Sequence, residues 1–139
     1  MRTIAQILQA AHTIAVVGLS DKPDRASYGV AGYLQQHGYR ILPVNPGCAG
    51  QQILGETVFA TLQEAAASLG AGATIDIVDC FRKPDAIVPI ARDAIAVGAR
   101  CLWMQLEIEN DEAAALAQDA GLDVVMNHCL KIEHRMLGA

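Results

Sequence analysis

The chain has 139 residues, of which 53% are hydrophobic, 18% charged and 4% aromatic. That composition excludes disorder, because disordered chains are charge-rich and apolar-poor, and the length fits a single domain over 1–139 with a real core. The net charge of −5 repels nucleic acid and anionic membranes, so a phosphate ligand would have to be held by local groups.

No apolar run approaches the ~20 residues that cross a bilayer. Gln6, Gln9 and His12 break any signal-peptide core near the N-terminus. A cytoplasmic protein is expected, with neither nucleic acid nor membrane as partner. Cys48, Cys80, Cys101 and Cys129 form no CxxC pair, so neither a disulfide framework nor a metal site is expected. They read as reduced, mostly buried thiols.

In chain order, Ile4, Ile7, Leu8 and Ala11 follow the i, i+3, i+4, i+7 spacing of a helix face. An apolar strand follows at 14–18. Ser27 is a cap for a helix over 27–37, which ends at Gly38 before a strand at 40–44. Thr61 caps a helix over 61–69 that Gly70 stops, and a strand follows at 75–79. Pro84 opens a helix over 84–97, ended by Gly98 before a strand at 100–104. Asn110 caps a helix over 110–120, ended by Gly121 before a strand at 123–126, and a short C-terminal tail completes the chain.

Helix, glycine and buried strand in that recurring order make βαβ units. The expected fold is α/β, a Rossmann-like doubly wound parallel five-stranded sheet in three αβα layers. Right-handed crossovers favour the Rossmann order 3-2-1-4-5, with 75–79 and 100–104 read as strands 4 and 5.

Ligands of such sheets bind at the carboxyl ends of the strands. The first of these loops, from Gly18 through Leu19, Ser20, Lys22, Arg25, Ser27 and Tyr28, sets a bare backbone and two cations before a helix N-terminus, which suits a phosphate. It is longer than the GxGxxG dinucleotide fingerprint and does not match it. The second strand ends at Val44, Asn45 and Pro46. Asn45 stands where an NAD site needs an acid for the ribose, which counts against NAD. After the third strand in chain order, Phe81 offers a face for a purine and Arg82 and Lys83 offer charge for a phosphate. Trp103, Met104 and Gln105 end the next strand, where they are candidates to line a channel for an apolar arm. Cys129 is a candidate reactive thiol beside His128 and Lys131.

Several motifs in order carry a family resemblance. They are Val16-Val17-Gly18-Leu19-Ser20-Asp21-Lys22-Pro23-Asp24-Arg25-Ala26-Ser27-Tyr28, Pro43-Val44-Asn45-Pro46, Leu54-Gly55-Glu56, Val78-Asp79-Cys80-Phe81-Arg82, Leu102-Trp103-Met104-Gln105-Leu106 and Cys129-Leu130-Lys131-Ile132-Glu133-His134. Together they resemble the small single-domain CoA-binding proteins, relatives of the CoA-binding Rossmann domain of succinyl-CoA synthetase alpha subunits. The resemblance implies coenzyme A or an acyl-CoA as the bound cofactor, and no established reaction. By position it implies Gly18, Ser20, Lys22, Arg25 and Ser27 for the phosphates, Asn45 and Pro46 near the adenosine, and Phe81, Arg82 and Lys83 at the adenine and phosphate edge. Trp103, Met104 and Gln105 lie toward the pantetheine arm by sheet geometry. Ala26, Cys80 and the pair Asn127-His128 depart from the residues usual in that family.

No nucleophile–base pair stands out among His12, His37, His128 and His134, so no catalytic residue is assigned. A CoA-binding module without chemistry of its own is the leading expectation. An NAD(P)-binding oxidoreductase and a CoA-dependent subunit completed by a partner chain are the alternatives.

Overall fold

The structure, a computed structural model, describes residues 1–138; Ala139, the last residue of the expected domain, lies outside them. Helix α1 (Ile4–Ala10) opens on a reciprocal cap, Thr3 accepting from the Gln6 N–H while the Gln6 side chain accepts from the Thr3 N–H. It leads into β1 (Thr13–Val17), α2 (Ala26–Gln36) and β2 (Arg40–Val44). A short hairpin, β3 (Gln52–Ile53) and β4 (Glu56–Thr57), precedes α3 (Leu62–Ser68). Then come β5 (Ile77–Cys80), α4 (Ile87–Ala96), β6 (Cys101–Met104), α5 (Asp111–Asp119), β7 (Asp123–Val125) and α6 (Leu130–Met136).

Five parallel strands form one sheet in the order β2-β1-β5-β6-β7. The α/β class and the parallel five-stranded sheet are those the sequence pattern implies. The strand order needs correction. The strand at 75–79 pairs with β1, as its reading as strand 4 required, but no full strand fills the third Rossmann position outside β2. Only a single bridge forms there, between Val44 and Phe59. Pro43 explains the stop. Its carbonyl accepts from the Phe59 N–H on the outer edge, so its missing N–H faces the same edge and a continuous ladder cannot grow. The chain between β2 and α3 turns back instead, through Leu54 and Gly55 at φ 54° and 78°, the left-handed pair that a two-residue type I′ hairpin demands.

The sheet divides the core in two. Along β1, Ile14 and Val16 face α1, α2 and α6, among Ile7, Leu8, Leu34, Ile41, Trp103 and Leu130. Ala15 and Val17 face the other way, among Leu62, Ala65, Ala91, Ala94, Ala113 and Ala117 of α3, α4 and α5. Side chains that alternate across a strand and are apolar on both faces are what a helix-covered parallel sheet requires.

Two caps form as the sequence predicts: Thr61 accepts from the Glu64 N–H, and Asn110 from the Ala113 N–H. Ser27 does not cap α2, whose N-cap is Arg25. The expected C-terminal tail is the helix α6, seated on α1 and α2 through Leu130 and His134, which lie one turn apart. Asn110→Ala is expected to lower stability by about 1 kcal/mol, read from urea unfolding, because no other side chain reaches that N-cap.

Candidate functional site

The carboxyl ends of β1, β2 and β5 enclose two adjoining clefts. One, about 340 Å³, is lined by Gly18, Ser20, Asp24, Arg25, Ala26, Ser27 and Phe81. The other, about 230 Å³, has Val17, Val44, Pro46, Leu62, Arg82, Ile90 and Asp93 among its lining residues. The neighbours Val17-Gly18 and Phe81-Arg82 are split between them, so the clefts meet where β1 and β5 end side by side.

Gly18 makes that meeting possible. Its φ is +90°, and a Cβ there would lie 2.3 Å from the Phe81 carbonyl oxygen and 3.1 Å from Arg82 Nε. Any side chain would push the two strand ends apart or strain the backbone. The Gly18 N–H donates to the Val44 carbonyl and the Phe81 N–H to the Val17 carbonyl, which ties three strand ends together.

The loop after Gly18 is fixed from within. Ser27 Oγ, buried, accepts from the Ser20 N–H, and Ser20 Oγ accepts from the Lys22 N–H. Ser27 therefore braces the loop. Since no side chain caps Arg25, the first-turn N–H groups of α2 are left uncommitted beside the first cleft. A free helix N-terminus carries about half a positive charge and favours an anion.

Asn45 braces a second junction. Its Nδ2 donates to the Leu19 carbonyl at 3.0 Å and its Oδ1 accepts from the Gly47 N–H at 2.9 Å. Both ends of the amide are committed to holding the β1 and β2 loops together, so its role is positioning. That network was not visible in the sequence, because it joins residues 26 apart.

The sequence-predicted residues thus divide. Gly18, Ser20, Arg25, Ser27 and Phe81 gather on the first cleft, and Val44, Pro46 and Arg82 on the second. Lys22 and Lys83 are exposed and line neither, and Tyr28 packs half-buried against the core. Leu19, Trp103 and Met104 are fully buried. The reading of Trp103 and Met104 as a channel for an apolar arm therefore gives way to packing. The indole N–H donates to the His128 carbonyl at 2.8 Å, which holds β6 to the segment leading into α6. Cys129, half-buried, stands at the N-cap of α6.

Gln105 belongs to a pair that the sequence reading passed over. Its Nε2 donates to Asp79 Oδ1 at 2.5 Å, while Asp79 Oδ2 has no partner among the described residues. Asp79 lies on β5 between Val16 and Trp103. Burial pushes its carboxyl up to about 8, against a smaller opposing effect of the Gln105 hydrogen bond. An acid inside the apolar run Ile77-Val78-Asp79-Cys80 was the available signal. The same burial pushes the Cys80 and Cys101 thiols up, so both stay protonated and inert.

Sheet order, covered faces and a cleft at the strands' carboxyl ends define a Rossmann-like α/β domain. The chain belongs to the CoA binding domain family, whose model matches residues 12–135. It is 37% identical over 131 residues to the uncharacterized protein YneT of Bacillus subtilis, covering 94% of this chain and 91% of that one. A solved structure from Thermus thermophilus is 35% identical with a TM-score of 0.86 over 96% of both chains. A hypothetical protein from Pyrococcus horikoshii is 36% identical, also at 0.86, covering 98% of this chain and 90% of that one.

Two measurements check these assignments. Because the folded Asp79 holds its proton up to about pH 8 while the unfolded chain releases it near 3.8, the folded state binds more protons between those values. Its stability therefore falls as pH rises through that window. The Tm difference between wild type and Asp79→Asn is expected to grow in favour of wild type as pH falls from 8 to 5. Trp103→Phe is expected to lower stability by about 2 kcal/mol through a lost hydrogen bond and packing volume, with ligand affinity changed less than about twofold.

Proposed function

We propose that the protein binds coenzyme A or an acyl-CoA through the βα loops at the carboxyl ends of β1, β2 and β5, without catalysis of its own. The observation that carries this reading is the pairing of an uncapped α2 N-terminus with Gly18, whose bare backbone lets Phe81 and Arg82 come up to the border that the two clefts share. Family membership supports it independently.

The groups present fit the parts of the ligand. The pyrophosphate goes to the first cleft, where the α2 N–H groups and Arg25 supply donors. The purine goes to the second cleft, between the apolar side chains of Val44, Pro46 and Ile90, with the Arg82 guanidinium at the junction to meet phosphate. Ser27 and Asn45 act through the backbone they hold. The acidic protein offers these phosphate donors locally, against its overall negative charge.

An NAD(P) dinucleotide is disfavoured by the same geometry. The strand-2 position where that class uses a carboxylate holds Asn45, and both ends of its amide are already engaged.

Thermal-shift and calorimetric titrations with CoA, acetyl-CoA, NAD and NADP test the proposal. At a hundredfold over its dissociation constant a ligand stabilises by about 2.7 kcal/mol, so the expected result is a clear shift with CoA or acetyl-CoA and none with the dinucleotides. Arg82→Ala is expected to weaken CoA binding more than about tenfold, the equivalent of one lost charge-assisted bond. A larger shift with NAD than with CoA, or unchanged CoA affinity in Arg82→Ala, would refute it.

A further inference from the structure

At the opposite end of the sheet, where β1 and β2 begin, lies a cavity of about 330 Å³ lined by Leu8, Gln9, Ala11, His12, His37, Gly38, Tyr39, His134 and Leu137. Three of the chain's four histidines are on it. It stands a strand length from the clefts, about 15 Å at ~3.3 Å per residue. The function proposed above uses none of these residues.

The cluster is built around Tyr33. His134, buried, holds Tyr33 Oη through Nδ1 at 2.9 Å, and His37 Nδ1 meets the Tyr33 carbonyl at 2.8 Å. A carbonyl only accepts, so His37 carries its proton on Nδ1 and its Nε2 is a bare lone pair in the neutral ring. Neither Nε2 makes a hydrogen bond among the described residues, and the two rings lie 5.1 Å apart. Tyr39 is not available to a ligand, since its hydroxyl donates to the Leu8 carbonyl.

The polar groups around the cavity come from every element packed there. From α1 and the turn after it come Gln9 and His12, from α2 Tyr33 and His37, from the start of β2 Tyr39, and from α6 His134, with Lys131 over the Tyr33 ring at 5.5 Å. Among the described residues no Asp or Glu side chain lines it; Glu133 of α6 lies 3.6 Å from His128, and Asp76 accepts from the His12 backbone N–H. Burial and the neighbouring His37 hold the His134 imidazole below its ordinary range. Its neutral form is thereby favoured. Protonating His37 turns its Nε2 from acceptor to donor and places a positive charge in a cavity that, among the described residues, no Asp or Glu side chain lines.

We propose that this histidine cavity is a second binding site, one that takes a small oxyanion, a phosphate or carboxylate group, together with a proton from solvent. The proton goes to a histidine Nε2 and the anion accepts the hydrogen bond that this N–H then offers. Each favours the other, because the anion offsets the positive charge that protonation adds and the proton supplies the donor.

Inorganic sulfate is the probe, since its charge is constant from pH 5.5 to 8, and acetate is the carboxylate arm. Calorimetry is expected to show saturable sulfate binding at pH 5.5 that weakens as pH rises toward 7.5, with a limiting slope of about tenfold per pH unit for one proton taken up per anion. Imidazole nitrogen NMR is expected to report His37 and His134 shifting together on titration. In His37→Gln, whose side chain keeps a donor for the Tyr33 carbonyl, affinity is expected to fall at least tenfold and the pH slope to flatten while Tm stays near wild type. His134→Gln gives the second reading where it folds. Tighter sulfate than acetate binding marks a tetrahedral anion, and the reverse marks a carboxylate. The site is refuted by an absence of saturable binding of either anion at pH 5.5. It is equally refuted by binding that survives His37→Gln, or by binding that Arg82→Ala abolishes. CoA titrations are independent of all these outcomes.

Discussion

The contact on which the molecule depends is between two backbones. Where β1 and β5 end, the chain at Gly18 passes so close to the Phe81 carbonyl that a single added carbon would sit 2.3 Å from it. Three strand ends are stitched there by the Gly18–Val44 and Phe81–Val17 hydrogen bonds. Everything in the candidate site is placed by that junction, from the turn into α2 to the shared border of the two clefts and the position of Arg82. A glycine conformation is thus converted into a ligand-sized opening at the point where crossovers leave the sheet in opposite directions.

Around that junction, polar groups are used in two distinct ways. Ser27 and Asn45 spend their hydrogen bonds on the loop backbone, so in the proposed site their role is preorganisation. Arg25, Arg82 and the α2 N-terminus remain uncommitted. Rigid loops presenting free donors lose little entropy on meeting an anion, whereas donors already satisfied cannot add to it.

The core shows how far a parallel sheet tolerates polarity. Asp79 is accepted in the middle of β5 because it stays protonated and shares one hydrogen bond with Gln105. Ionised, it would be a buried charge without a cation beside it, which folding cannot sustain at that depth. Losing that proton costs the folded state stability, and the loss accrues as pH rises toward about 8.

Much of the architecture is local in origin and was legible in the residues. Glycines at 38, 98 and 121 adopt positive φ after their helices, and Thr61 and Asn110 cap theirs, because a cap and its helix lie within three residues of each other. The parallel strands, apolar on both faces, announced a sheet covered by helices, and Gly18, Arg25, Phe81 and Arg82 could be named from their places at strand ends. What the sequence could not disclose depends on partners distant along the chain. Pro43 limits the sheet only because β2 lies at its edge. Trp103 is packing because the His128 carbonyl happens to reach its indole, and α6 is a helix because Leu130 and His134 find α1 and α2 to cover. Asn45 braces a loop 26 residues away, and three histidines scattered over the chain meet in one cavity. Short-range pattern determined the elements and their order. Only tertiary contact decided which polar atoms are satisfied internally and which are left for a ligand.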